Sequence, residues 1–140
     1  MFYLDSSVLV CMFSNEARTR SMQDWRAKLP GESVWISEWN IAEFHSAMSL
    51  KRRTAQMTVM ERHRAEMLFE AYLKLYPNIF SVVSAHFRRA AAIAAREDIN
   101  IRAPDALHLA VAEANGATVC TLDNKMHQAA EVLQIDCLIP

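Results

Sequence analysis

Sixteen of the 140 residues are Asp or Glu, and four of them stand where an acid is out of place. Asp5 ends the short apolar run Phe2-Tyr3-Leu4. Asp123 ends a second run, Ala117 to Leu122. Asp105 follows Pro104 at the head of the apolar segment Ala106-Leu107-His108-Leu109-Ala110-Val111-Ala112. Glu43 shares a helical stripe with Trp39 at i−4 and Ala47 at i+4. A carboxylate among apolar residues is costly unless something pairs with it. Several together repel one another, and a hard dication relieves that repulsion. A set of oxygen ligands suits Mg²⁺, or Mn²⁺, rather than zinc.

Each acid has an ordinary reading when taken alone. Asp5 suits a turn, Asp105 the positive end of a helix dipole, and Asp123 a helix N-cap. The joint placement argues for function, and it depends on the elements that carry these residues. Phe2-Tyr3-Leu4 reads as a buried strand, with the apolar run continuing through Val8-Leu9-Val10. A helical pattern runs from Asn15 to Leu29 and stops at Pro30-Gly31. Val34-Trp35-Ile36 is a second strand. Ser37 caps a helix to about Arg53. Thr58 and Glu61 form a capping box for a long helix, with Pro77 just past its end. Ile79 to Val83 is a third strand, and Ser84 caps a helix to about Glu97. Pro104 sits in the first turn of a helix closed by Gly116. Ala117 to Leu122 is the fourth strand, Asn124 to Leu133 the last helix, and Cys137-Leu138-Ile139 the last strand.

Short, wholly apolar strands alternating with helices predict an α/β fold, a parallel sheet covered on both faces. Such sheets bind ligands at the carboxyl ends of their strands. Asp5 and Asp123 end strands. The helix opened by Asp105 runs antiparallel to the strand that follows it, and Glu43 lies in the second turn after strand two. All four acids are therefore expected at one rim. Glu38 is a control: five residues from Glu43 is ~140° around a helix, so it is expected to support the helix dipole. His45 lies ~200° from Glu43 and points elsewhere. His108, in an apolar helix, reads as a hydrogen-bonded core histidine.

The rest of the composition narrows the class. Hydrophobic residues make up 52%, which excludes a disordered chain. The length suits a single domain spanning 1–140. The formal net charge is −1, so a nucleic-acid surface must be a local patch. Lys51-Arg52-Arg53, Arg62-His63-Arg64 and Arg88-Arg89 are the candidates. Two glycines exclude Gly-rich phosphate loops. Three cysteines without framework spacing argue against a disulfide scaffold, and Cys120 and Cys137 read as core residues. The N-terminus lacks a signal peptide's basic region, and no apolar run is long enough to span a bilayer. A cytoplasmic protein without a membrane partner is expected.

The four acids and their surroundings resemble a PIN domain, in particular the VapC-like toxins of bacterial toxin–antitoxin pairs. Tyr3-Leu4-Asp5-Ser6-Ser7-Val8-Leu9-Val10 resembles the first motif, and Ser37-Glu38-Trp39-Asn40-Ile41-Ala42-Glu43-Phe44 the second. Ala103-Pro104-Asp105-Ala106-Leu107-His108-Leu109-Ala110 resembles the third and is the most distinctive. Thr121-Leu122-Asp123 resembles the fourth, with Asn124 where many members carry a second charged residue. The resemblance implies a three-layer fold with a five-stranded parallel sheet flanked by helices, its first and fourth strands adjacent. It implies that Asp5, Glu43, Asp105 and Asp123 are the catalytic, metal-binding acids, and that Ser7 and Thr121 orient them. The activity implied is Mg²⁺-dependent endoribonuclease cleavage by metal-assisted hydrolysis.

Competing classes make different demands. A receiver domain wants an acceptor Asp after the third strand, where Val83-Ser84 stands. A dehalogenase-like phosphatase wants a second acid at position 7, where Ser7 stands. An inactive binding module would not need four acids. A PIN-like nuclease of RNA processing or decay, working without an antitoxin, is the nearest alternative, and the small size favours the toxin. A homodimer is expected from Met67, Leu68, Phe69, Tyr72 and Leu75 on one helix, together with Trp25, Trp39 and eight methionines. A small antitoxin protein is expected to plug the acidic rim with an Arg, anchored by Trp39 and Phe44 in a groove beside the helix of Glu43.

Overall fold

The computed structural model describes residues 1–76 and 78–140; Pro77 lies outside them. In chain order the elements are β1 (Phe2–Leu4), α1 (Ser6–Phe13), α2 (Thr19–Ala27), β2 (Val34–Ser37), α3 (Glu38–Arg53), α4 (Val59–Leu75), β3 (Ile79–Phe80), α5 (Ser84–Ala94), α6 (Ala103–Ala114), β4 (Thr118–Cys120), α7 (Asn124–Leu133) and β5 (Cys137–Leu138). The five strands form one sheet in the order β3-β2-β1-β4-β5. Every pairing is parallel, with Phe2 opposite both Val34 and Thr118.

Alternate residues along a strand face opposite sides of the sheet, and the core divides accordingly. Tyr3 and Val119 belong to one buried cluster with Ile93, Leu109 and Val111. Leu4 and Cys120 belong to the other, with Leu9, Ile36, Phe44 and Phe69. Both faces are therefore covered, which is why the strands carry apolar runs. Ala106 to Ala112 of α6 are all buried, as the all-round apolar segment predicts. Burial holds the Cys120 thiol up at about 12 and the Cys137 thiol at about 11, so neither is a ready thiolate.

Several boundaries move, each for a local reason. The first strand stops at Leu4, and Val8-Leu9-Val10 are helical, because Asp5 N-caps α1 by accepting from Val8 N at 3.1 Å. The expected Asn15–Leu29 helix begins only at Thr19. The preceding residues form a turn in which Glu16 N donates to Thr19 Oγ1 at 2.9 Å. The third strand ends at Phe80, since Val82 N is turned to Glu38 Oε2, 3.2 Å away. Val83 rather than Ser84 is the N-cap of α5, which ends at Ala94. The outer residues of the last two expected strands, Ala117, Thr121, Leu122 and Ile139, fall outside β4 and β5. Gly116, at φ +60, supplies the left-handed turn after α6.

Candidate active site

Asp5 is 3% exposed and is held from three sides. Its Oδ1 accepts from Ser7 Oγ at 2.6 Å and from Val8 N, and its Oδ2 accepts from Thr121 Oγ1 at 2.7 Å. Both hydroxyls also accept a hydrogen bond from the loop after β4. Leu122 N donates to Ser7 Oγ at 2.8 Å, and Asp123 N donates to Thr121 Oγ1 at 2.9 Å. Asp5 thus fixes the path of the segment that delivers Asp123. Burial pushes the Asp5 carboxyl above its usual range, against its hydrogen bonds with Ser7, Thr121 and Val8 N.

Asp105 and Asp123 face a cavity of about 840 Å³ that Ser7, Arg102, Asn124 and Lys125 also line. Asp123 is at once the N-cap of α7, its Oδ1 accepting from Lys125 N at 2.7 Å and Met126 N at 3.3 Å. Burial, then the charge of Asp123, push the Asp105 carboxyl up, and Glu43 adds to the effect.

Glu43 lies on the other side of Ser7, in a shallower groove of about 390 Å³ with Ser6, Val10, Ala47 and Leu50. Its Oε2 accepts from Ser6 Oγ and from His108 Nε2, both at 2.5 Å. Burial opposes ionisation, but His108, Ser6 and the nearby Trp39 indole outweigh it and hold the carboxyl below its usual range. His108 is 2% exposed, a hydrogen-bonded core residue as its setting suggests, but one whose partner is a candidate site acid. His45 turns away toward Glu66 and Glu70.

The four acids therefore surround Ser7 from two depressions, with Asp5 beneath. Among the described residues, no three Asp, Glu, His or Cys side chains converge tightly enough to enclose an ion. Glu43 is drawn to His108 and Asp123 to its own helix. What fits a hard dication is the chemistry of the donors: all are oxygens, burial pushes Asp5 and Asp105 toward protonation, and at Asp105 the charges of Asp123 and Glu43 add to it.

One member of each basic cluster expected to meet phosphate is engaged elsewhere. Lys51 pairs with Glu16, Arg62 with Glu66 and Arg89 with Glu113. Arg102 and Lys125 line the acidic cavity instead, and no salt bridge engages them among the described residues. Their signal in the sequence was position alone: each flanks a motif acid by two or three residues. Of the proposed antitoxin anchors, Phe44 is wholly buried and Trp39 packs on the opposite core cluster. Val10, Ala47 and Leu50 line the groove in their place. Of the proposed dimer residues, Phe69 and Tyr72 are core, whereas Met67, Leu68 and Leu75 are exposed.

A five-stranded parallel sheet flanked by helices, with Asp5 and Asp123 beyond the ends of neighbouring strands, defines a three-layer α/β protein. The chain belongs to the PIN domain family, whose model matches residues 2–132. The PIN domains of VapC toxins are nucleases. The fold is that of FitAcB from Neisseria gonorrhoeae, with a TM-score of 0.76 at 22% identity over 99% of this chain and 96% of that one. It is also that of VapC20 from Mycobacterium tuberculosis, a sarcin-ricin loop cleaving toxin, with a TM-score of 0.71 at 18% identity over 92% and 95% of the two chains. VapBC2 from Rickettsia felis, solved on a promoter DNA fragment, matches with a TM-score of 0.70 at 15% identity over 100% and 99%. No curated protein sequence matches. No helix among the described residues is long and apolar enough to cross a membrane.

Proposed function

We propose that this chain is a Mg²⁺-dependent endoribonuclease, the toxin of a toxin–antitoxin pair, with Asp5, Glu43, Asp105 and Asp123 as its metal-holding acids. The observation that carries this reading is the clamp on Asp5. A buried carboxylate at the sheet's carboxyl edge, fixed by Ser7 and Thr121 beside three further acids, is costly for folding and useful for holding a cation. A bound Mg²⁺ supplies a water of lowered pKa and polarises the phosphate. The chain's own part is positional. Ser7 and Thr121 keep both Asp5 oxygens oriented, and Asp105 and Asp123 line the cavity an RNA strand would enter. Arg102 and Lys125 offset their negative charge by meeting flanking phosphates.

An antitoxin partner is supported by the solved proteins of like fold, which include FitAB bound to a DNA fragment and a toxin–antitoxin complex from Klebsiella pneumoniae. The apolar groove of Val10, Ala47 and Leu50 ends at Glu43 and Ser7. A partner segment lying there brings an Arg to the carboxylates, where a guanidinium binds by two hydrogen bonds. A homodimer through exposed Met67, Leu68 and Leu75 belongs to the same reading.

The test is cleavage of total RNA by the purified chain, with Mg²⁺, with Mn²⁺ and with chelator. Cleavage that needs the metal and disappears in Asp5→Asn supports the assignment. Cleavage unaffected by chelator would sink it. Failure to co-purify with a neighbouring small reading frame, with no growth defect on expression alone, would favour an RNA-processing nuclease.

A further inference from the structure

Behind Glu43 lies a hydrogen-bonded network in a part of the core that could have been apolar. Tyr3, Ser37 and Asn40 are wholly buried and His108 nearly so. The Tyr3 hydroxyl is 2.8 Å from Ser37 Oγ, 3.0 Å from Asn40 Oδ1 and 2.8 Å from His108 Nδ1. Asn40 Oδ1 already accepts from Ser37 N at 2.7 Å, and the Ser37 hydroxyl is placed to donate to the Tyr3 oxygen. Tyr3 has one proton, and of its two remaining acceptors His108 Nδ1 at 2.8 Å is nearer than Asn40 Oδ1 at 3.0 Å, which already accepts from Ser37 N. An imidazole that accepts at Nδ1 carries its proton on Nε2, and Nε2 faces Glu43 Oε2. A second arm runs from Asn40 Nδ2, which donates to Leu4 O at 3.0 Å and to Ser6 Oγ at 3.3 Å. Ser6 in turn donates to the same Glu43 oxygen. Both arms reach Oε2; the Trp39 indole lies near the same carboxyl, but its Nε1 makes no hydrogen bond, so Oε1 carries none among the described residues.

We propose that Tyr3 and His108 are positioning residues that fix the rotamer of Glu43: Tyr3 sets the His108 tautomer, and His108 with Ser6 holds Oε2, so that Oε1 is the oxygen presented to the rim. Its use, the presentation of a ligand oxygen, rests on the nuclease reading; the proton arrangement does not. A network serving only the core would not need to end on a half-buried carboxylate whose side chain is 22% exposed. Buried polar groups are kept costly by their surroundings, and this set spends its last donor on a candidate site acid.

The test uses the full chain, metal-free, with ¹⁵N-labelled histidine. Long-range ¹H–¹⁵N spectra are expected to show His108 protonated at Nε2 and unprotonated at Nδ1 in the native chain. In Tyr3→Phe, which changes shape little, that preference is expected to be lost. His108 protonated at Nδ1 in the native chain, or an unchanged spectrum in Tyr3→Phe, overturns the proposal. Mn²⁺ affinity is the second readout. Loss of an outer-shell partner costs ~10–100-fold in metal affinity, so about tenfold weaker binding is expected in His108→Leu, with partial recovery in His108→Gln, which keeps a donor for Glu43. Lower thermal stability with unchanged tautomer and affinity would mark the network as structural only and overturn the proposal. Should the native chain bind no Mn²⁺ and cut no RNA, the nuclease reading fails, while the spectra still decide the arrangement.

Discussion

Thr121 and Asp5 stand 116 positions apart and meet in a 2.7 Å hydrogen bond between the Thr121 hydroxyl and Asp5 Oδ2. The contact exists because β1 and β4 are neighbours in the sheet, with Leu4 opposite Cys120 and Asp5 N donating to Cys120 O at 3.0 Å. One residue beyond each strand, the two side chains turn to the same edge. The Thr121 hydroxyl also accepts from Asp123 N, so one bond couples two candidate ligands.

Asp5→Asn is expected to abolish RNA cleavage while leaving the metal-free fold at least as stable at pH 7. Burial raises the Asp5 carboxyl, so the ionised form disfavours folding. Asn removes that charge and keeps an acceptor for one of the hydroxyls. Thermal unfolding beside a cleavage assay reads both halves. Full activity at limiting Mg²⁺ would contradict the assignment.

The metal-free chain is expected to gain stability on mild acidification from neutral pH. Asp5 and Asp105 have folded pKa values above the usual 3.8. Their unfavourable contribution is present above the folded values and is recovered as pH falls through them. Glu43 is lowered from 4.5, so its favourable contribution is lost only below that value. Denaturant midpoints from pH 7 to 4 check this, and the gain should shrink in Asp5→Asn. A monotonic fall in stability across that range in the native chain would contradict it.

Glu43→Gln is expected to impair cleavage strongly, and Glu38→Gln hardly at all. Both lie on α3, but Glu43 meets His108 and Ser6, whereas Glu38 is exposed and accepts from Val82 N. Equal losses in matched kinetic assays would show the rim to be misplaced.

Arg102→Ala and Lys125→Ala are each expected to weaken RNA binding and to flatten its salt dependence, by about 0.7 in the slope of log K on log salt per lost contact with a single strand. Arg88→Ala, at an exposed position of α5, is expected to leave both unchanged. Filter binding across salt concentrations measures the slopes.

Phe69→Ala is expected to destabilise the fold by ~3–5 kcal/mol, the usual range for a buried Phe. Its ring stacks on Phe44 with centroids 4.0 Å apart and packs against Phe13. Leu75→Ser, at a position 73% exposed, is expected to stay within about 0.5 kcal/mol. Chemical denaturation at dilutions where the chain is monomeric compares the two variants, and a loss in the second as large as in the first would contradict the exposure of Leu75 in the protomer.

Much of this was written in local pattern. Apolar runs too short for helices and without alternation made β1, β2 and β4 buried parallel strands. The Thr58–Glu61 pair opened α4 where its chemistry indicates, with Thr58 N donating to Glu61 Oε2 at 2.7 Å. Asp5 and Asp123 follow β1 and β4 as the apolar runs indicate, and a parallel sheet puts all its carboxyl ends on one side. These properties depend on residue type and near neighbours, so the sequence by itself determined them. What tertiary structure decided was which partner each polar atom takes. Glu43 turned to His108, Tyr3 became the anchor of a buried network, and Arg102 and Lys125 rather than the tandem basic clusters came to the acidic cavity. Phe44, Phe69 and Tyr72 went to the core instead of the surface. Those outcomes depend on the directions of side chains from elements far apart in the chain, and direction is set only once the sheet has packed its helices against both faces.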